Sequence, residues 1–245
     1  MTRPRAAWIL LGLLGSVMLI PAVAPAYEER PVENGGTLTG RVRFRGPIPA
    51  AYVIRVTKDS AVFGQTVPDE RLLISKDGTV ANVVITIGGI ERGKPWPPLK
   101  PRVVNHGGRF VPHVQVARTG SRLAVVNRDP VLHNTHGFQG GRSTFNVALP
   151  RYRRDRPVFE PLAEPGILEV MCDVHDWMNG WVAVLAHPYF ALTGAAGTYT
   201  ITDIPPGTYT VTAWHEQLGK QQARVTIPPT GRARLDFTFT PPSTP

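Results

Sequence analysis

A proline or a glycine falls at about every fifth position of this chain, Gly 24 and Pro 25 among 245 residues. Proline removes a backbone donor and fixes φ, and glycine weakens the interior of any regular element, so this density leaves little room for long helices. The glycines follow no fixed period and 42% of the residues are apolar, which excludes a collagen-like or disordered chain. Between the breakers, short runs alternate apolar with polar residues, as in Thr37-Leu38-Thr39-Gly40-Arg41-Val42-Arg43-Phe44. That period belongs to half-buried strands. The expected class is all-β.

The net charge is +9, from 22 Arg and 5 Lys against 18 acids. A charge of this size favours acidic proteins or membrane surfaces as contacts and says nothing about fold. No basic run is interleaved with aromatic residues as a nucleic-acid groove requires, so no nucleic-acid partner is expected. At the N-terminus Arg3 and Arg5 precede an apolar stretch from Trp8 to Val23, then Ala24-Pro25-Ala26 and the polar Tyr27-Glu28-Glu29-Arg30. This order predicts a secretory signal peptide over 1–26, cut after Ala26, and a periplasmic mature protein. An uncleaved membrane anchor is the competing reading, against which the short apolar run interrupted by Pro21 counts. No later segment reads as a bilayer span, so stable membrane insertion is not expected after cleavage.

Cys172 is the single cysteine, which excludes an internal disulfide. An exported thiol must be buried, paired with another chain, or bound to a metal, because oxidising compartments consume exposed ones. Its neighbours read Met171-Cys172-Asp173-Val174-His175-Asp176-Trp177-Met178, a C-x2-H-x2-M spacing between two strand-like runs. Such a loop can bring a thiolate, an imidazole and a thioether to one point. Met171 should point the other way on its strand, which leaves Met178 as the thioether candidate. A second imidazole is offered by the stretch Asn127 to Phe138, which contains both His133 and His136. Two histidines, a cysteine and a weak axial methionine form the ligand set of a mononuclear blue-copper centre. Structural zinc sites use four Cys or His ligands and have no use for methionine. A dinuclear copper centre would need a second cysteine, and multicopper oxidases need H-x-H pairs that this chain lacks. The alternative is a buried cysteine, a surface histidine and a core methionine falling together by accident.

Residues Arg109 to Val116, Gly120, Asn127-Arg128 through His133-Asn134-Thr135-His136, and Cys172 to Met178 resemble the small cupredoxins of the amicyanin and plastocyanin type. The resemblance covers roughly 105–186 and implies a Greek-key β-sandwich holding copper through His133, Cys172, His175 and Met178. It also implies that the Asn134 amide points at the cysteine sulfur. His136 remains the alternative to His133. Related loops often carry proline after the loop histidine, where this chain has Asp176. An acid beside an exposed His175 would favour the oxidised site and lower the potential.

The flanking residues resemble a carboxypeptidase regulatory-like, transthyretin-type β-sandwich. Its opening strand matches Gly36 to Val42, and its G-x-Y-x-I and P-P-G-x-Y-x-V segments match Gly197 to Ile201 and Pro205 to Val211. The expected organisation is a signal peptide at 1–26, a linker at 27–36, N-terminal strands at 37–104, the cupredoxin domain at 105–186 and late regulatory-like strands at 187–241. The copper domain either sits inside a split sandwich or precedes a separate C-terminal module. The whole chain resembles periplasmic plastocyanin-like proteins of the methylamine-utilisation type, in which cysteines often stand at the positions of Phe63 and Gly108. His187, His215 and Glu216 form a second, harder candidate metal set, with packing at a domain junction as the alternative. His106 and His113 read as loop and strand residues. Arg151-Tyr152-Arg153-Arg154-Asp155-Arg156 is either a solvated loop or a docking patch for an acidic protein.

The expected function is one-electron transfer between protein redox partners, such as a c-type cytochrome or a dehydrogenase, with no enzymatic chemistry. A copper carrier or storage protein, and a metal-free adhesion or scaffold protein, are the alternatives.

Overall fold

The alternation seen in the sequence becomes strand almost throughout, in a computed structural model that describes residues 27–50 and 52–241. The signal peptide and cleavage point expected at 1–26 lie outside these residues. Among the described residues, no helix is long and apolar enough to cross a membrane.

Strand Gly36–Phe44 shows how the pattern works. Leu38, Gly40, Val42 and Phe44 face inward while Thr37, Thr39, Arg41 and Arg43 face out, as a two-residue period dictates. The strand pairs antiparallel with Thr198–Ile204 and parallel with Arg232–Arg234 and Phe237–Phe239. A facing sheet has the order Phe190–Leu192, Val84–Ile87, Gly207–His215, Gly219–Ile227. Residues from both ends of the chain thus build one sandwich, with Leu38, Val42, Ile85, Ile87, Tyr199, Val211 and Phe239 in its core. Gly40 is required there, because a Cβ would collide with the Leu235 carbonyl oxygen and fall 2.6 Å from the Tyr199 ring.

A second sandwich is built from residues 102–185. One sheet has the order Val158–Pro161, Arg122–Asn127, Arg102–Asn105, Phe110–Val111. The other has the order Arg142–Leu149, His133–Gln139, Gly166–Met171, Asn179–Leu185, Val114–Arg118. Phe110, Leu123, Val125, Leu149, Leu168, Val170 and Val182 fill its interior, together with Cys172 and Met178.

The two sandwiches meet through Val84, Val114, Val116 and Ala183, with Trp181, Phe190 and Trp214 packed against them. Two pieces belong to neither sheet system. Glu28–Glu29, inside the expected linker, pairs in parallel with Arg92–Gly93. The segment between the first strand and Val84–Ile87 forms a small hairpin, Val53–Arg55 with Thr66–Pro68, that carries a single helical turn at Ser60–Phe63.

Candidate metal centre

His133 opens its strand and Cys172 directly follows the end of a neighbouring one. Antiparallel pairing sets His136 opposite Met171, so the two residues arrive at the same end of the sheet. The Cys172–Met178 loop is closed on itself, with the Met178 N–H donating to the His175 carbonyl at 2.9 Å and the Cys172 N–H donating to the Met178 carbonyl at 3.3 Å. The Cys172 Sγ then lies 3.7 Å from His133 Nδ1 and 3.8 Å from His175 Nδ1, and the two Nδ1 atoms are 3.1 Å apart. All three residues are buried, both histidines completely.

The outer nitrogens fix the protonation. His133 Nε2 is 2.9 Å from Asp129 Oδ2, and His175 Nε2 is 2.8 Å from Asp59 Oδ2. An ionised carboxylate can only accept, so each Nε2 carries a proton and each Nδ1 turns its lone pair inward. Two lone pairs and a sulfur facing one another across these distances repel unless a cation lies between them. Such a set could hold a metal ion, or in its absence a proton.

The electrostatics agree. Burial opposes ionisation of Cys172, yet the adjoining His133 and His175 imidazoles and the backbone N–H groups of Asn134 and His175 outweigh it and bring the thiol down to about 6. Burial likewise opposes charge on His133, and Asp129 with the Cys172 sulfur overcomes it, raising the imidazole above its ordinary range. Asp129 is held below the carboxylate range despite its burial by His133 and by the N–H groups of Gly107 and Gly108. Its two oxygens accept those N–H bonds at 2.7 and 3.3 Å, so one carboxylate orients His133 and shapes the turn beside it.

Among the described residues, His133, Cys172 and His175 are the one cluster of three such groups able to hold a metal. Met178 is buried beside Cys172 in the same core, held there by the loop hydrogen bonds. His136 stands outside, bonded to Asp173 at 3.2 Å and to Ser143 Oγ at 2.9 Å.

Two expectations are corrected. The Asn134 amide is not aimed at the sulfur. Its Nδ2 donates to Asp173 and Asn146 at 2.7 and 2.8 Å and its Oδ1 accepts the Asp173 N–H at 2.7 Å, while its backbone N–H serves the sulfur. His175 is not exposed and Asp176 is not its acid. Asp176 points outward and accepts from Thr57 Oγ1 at 3.4 Å, and the carboxylate on the imidazole is Asp59.

Asp59 and Asp129 were missed by the sequence reading. Asp129 lies four residues before His133, a spacing that offered a signal, whereas Asp59 is 116 residues from His175 and offered none. Phe63 and Gly108 do meet: a Cβ on Gly108 would lie 3.3 Å from the Phe63 ring.

The second candidate metal set does not assemble. Both Glu216 oxygens are taken, one by His113 Nε2 and the other by the Trp181 indole N–H at 2.9 Å. His215 Nδ1 accepts the N–H groups of Gln217 and Leu218 at 3.2 and 3.4 Å, and His187 Nδ1 accepts that of Tyr189 at 3.3 Å. His113, Glu216 and Trp181 instead tie the two sandwiches together.

Residues 182–240 match the carboxypeptidase regulatory-like domain. No curated protein matches the chain by sequence. Among solved structures it is similar to a purple cupredoxin from Nitrosopumilus maritimus, at 21% identity over 35% of this chain and 100% of that one, with a TM-score of 0.31. It is also similar to a copper-containing nitrite reductase from Thermus scotoductus, at 23% identity over 38% of this chain and 24% of that one, with a TM-score of 0.31. A reduced amicyanin variant aligns at 18% identity over 41% of this chain and 98% of that one, again at 0.31.

Proposed function

We propose that this chain is an exported mononuclear blue-copper protein that passes single electrons between protein partners. His133, Cys172 and His175 would hold the ion and Met178 would supply a weak axial thioether. The observation that carries this reading is the inward-facing triangle of two Nδ1 atoms and a low-pKa sulfur, each buried and within 3.8 Å of the others.

Copper bound there would supply a reversible one-electron couple. The soft sulfur suits Cu(I), and imidazole suits both oxidation states. The residues around the site do the rest. Asp129 and Asp59 fix the ring orientations, as carboxylate partners of ligand histidines do. The backbone N–H groups of Asn134 and His175 stabilise charge on the sulfur. The closed 172–178 loop keeps the donors in place whatever the charge on the ion. A closed, buried donor set supports electron transfer over the delivery of copper to other proteins, which needs an exchangeable site. Four exposed arginines at Arg151, Arg153, Arg154 and Arg156 offer an acidic redox partner a docking point, acting mainly on the rate of encounter.

Loading the protein with copper tests the reading. An intense visible thiolate-to-copper band is expected in the wild type and none in Cys172→Ser. A wild type that binds zinc but shows no such band with copper would overturn it.

A further inference from the structure

We propose that the hairpin at 53–68 is a cap on the metal centre, lent by the chain segment of the other sandwich, in which Asp59 positions His175 and Phe63 seals the two imidazoles. The inference rests on the copper reading above.

The hairpin's own construction points to this role. Its two short strands pair only with each other, and its helical turn buries none of its residues. An aspartate at the start of a helical turn ordinarily spends its carboxylate on the first free N–H groups. Asp59 makes no such bond and stands in the left-handed region at φ 55, a conformation unfavourable for a residue with a side chain. Its carboxylate goes to His175 Nε2 instead. The Phe63 ring lies edge-on to His175 at 5.3 Å between centroids, 5.9 Å from His133 and 6.3 Å from Trp177. Gly108, facing that ring, leaves the space it occupies, and its carbonyl accepts the Trp177 indole N–H at 3.0 Å. Thr57 adds a bond to Asp176 on the copper loop.

Two consequences follow. Without the cap the outer edge of His175 would face solvent, and with it the residue has no exposure, so copper enters and leaves only when the hairpin lifts. A negative charge held on the ligand's outer nitrogen also favours Cu(II) over Cu(I).

The test uses the copper-loaded full chain. Transfer of Cu(I) to an excess of a high-affinity Cu(I) chelator should be about tenfold or more faster in Phe63→Ala and in Asp59→Ala than in the wild type. Asp59→Asn should raise the reduction potential by about a tenfold change in the Cu(I)/Cu(II) preference, about 59 mV for a one-electron couple. Asp59→Glu should restore most of that shift. Hydrogen exchange on the wild type avoids any question of variant folding: amides in 53–68 should exchange at least about tenfold more slowly with copper bound. Release rates and potentials within twofold of wild type, or exchange in 53–68 unchanged by copper, would overturn the cap. A wild type that takes up no copper would instead fail the copper reading itself.

Discussion

Each candidate ligand histidine is gripped at its far nitrogen by a carboxylate, and that pairing decides what its near nitrogen can do. The near side was readable from the chain. Cys172, His175 and Met178 are spaced within one loop, and local spacing survives folding because a tight loop leaves few arrangements. The far side was legible only in part. Asp129 lies within the stretch that supplied His133, while Asp59 arrives from a distant hairpin that no periodicity announces. The expectation for Asn134 failed for a related reason: a sequence motif tells which residue is near the sulfur but not whether its amide or its backbone faces it. His215, buried at the end of its strand, makes a separate prediction. Burial, with a smaller contribution from the charge of His113, depresses its pKa to about 4. In the unfolded chain the imidazole titrates near 6.5. Between those values the unfolded state binds a proton that the folded state refuses, so stability falls as pH drops from about 7 to about 4, by up to about 3 kcal/mol. Urea unfolding at both pH values should show this loss, and His215→Asn should remove most of it.

At the scale of elements, alternation was a dependable guide. The runs 37–44, 198–204 and 207–215 are strands whose inward residues are the ones the pattern selects. What alternation did not reveal was the hairpin at 53–68, whose strands are three residues each and too short for a period to register. The glycines of the first strand have a reason that the pattern alone does not supply. At Gly40 the backbone of Leu235 and the ring of Tyr199 come too close for any side chain, and the Tyr199 hydroxyl donates to the Leu235 carbonyl at 2.5 Å. Gly40→Ala should destabilise the protein by about 2–3 kcal/mol, the usual cost of forcing atoms into a packed core. Thermal unfolding should record this as a drop in Tm of about 4–12 °C.

For the whole molecule, the two sandwiches are joined by shared chain, by the apolar contact around Trp181 and Trp214, and by the bonds from His113 and Trp181 to Glu216. The capping hairpin lies between strands of the outer sandwich yet touches the candidate metal centre of the inner one. Copper binding should therefore stabilise both. At a free ion concentration about a thousandfold above Kd, binding adds about 4 kcal/mol to the folded state. Unfolding followed by the visible copper band and by far-ultraviolet circular dichroism should shift upward together and coincide. An outer sandwich that melts at the same temperature with and without copper would show that the two are uncoupled.

A chain exported as proposed above would cross into oxidising surroundings before its ion arrives, and its one sulfur would have no second cysteine in the chain to join. At 2% exposure, the Cys172 sulfur is shielded from oxidants and from the same atom on another copy. The pocket that would grip copper therefore also protects the empty protein while it waits, keeping it in the one chemical state from which it can still be filled.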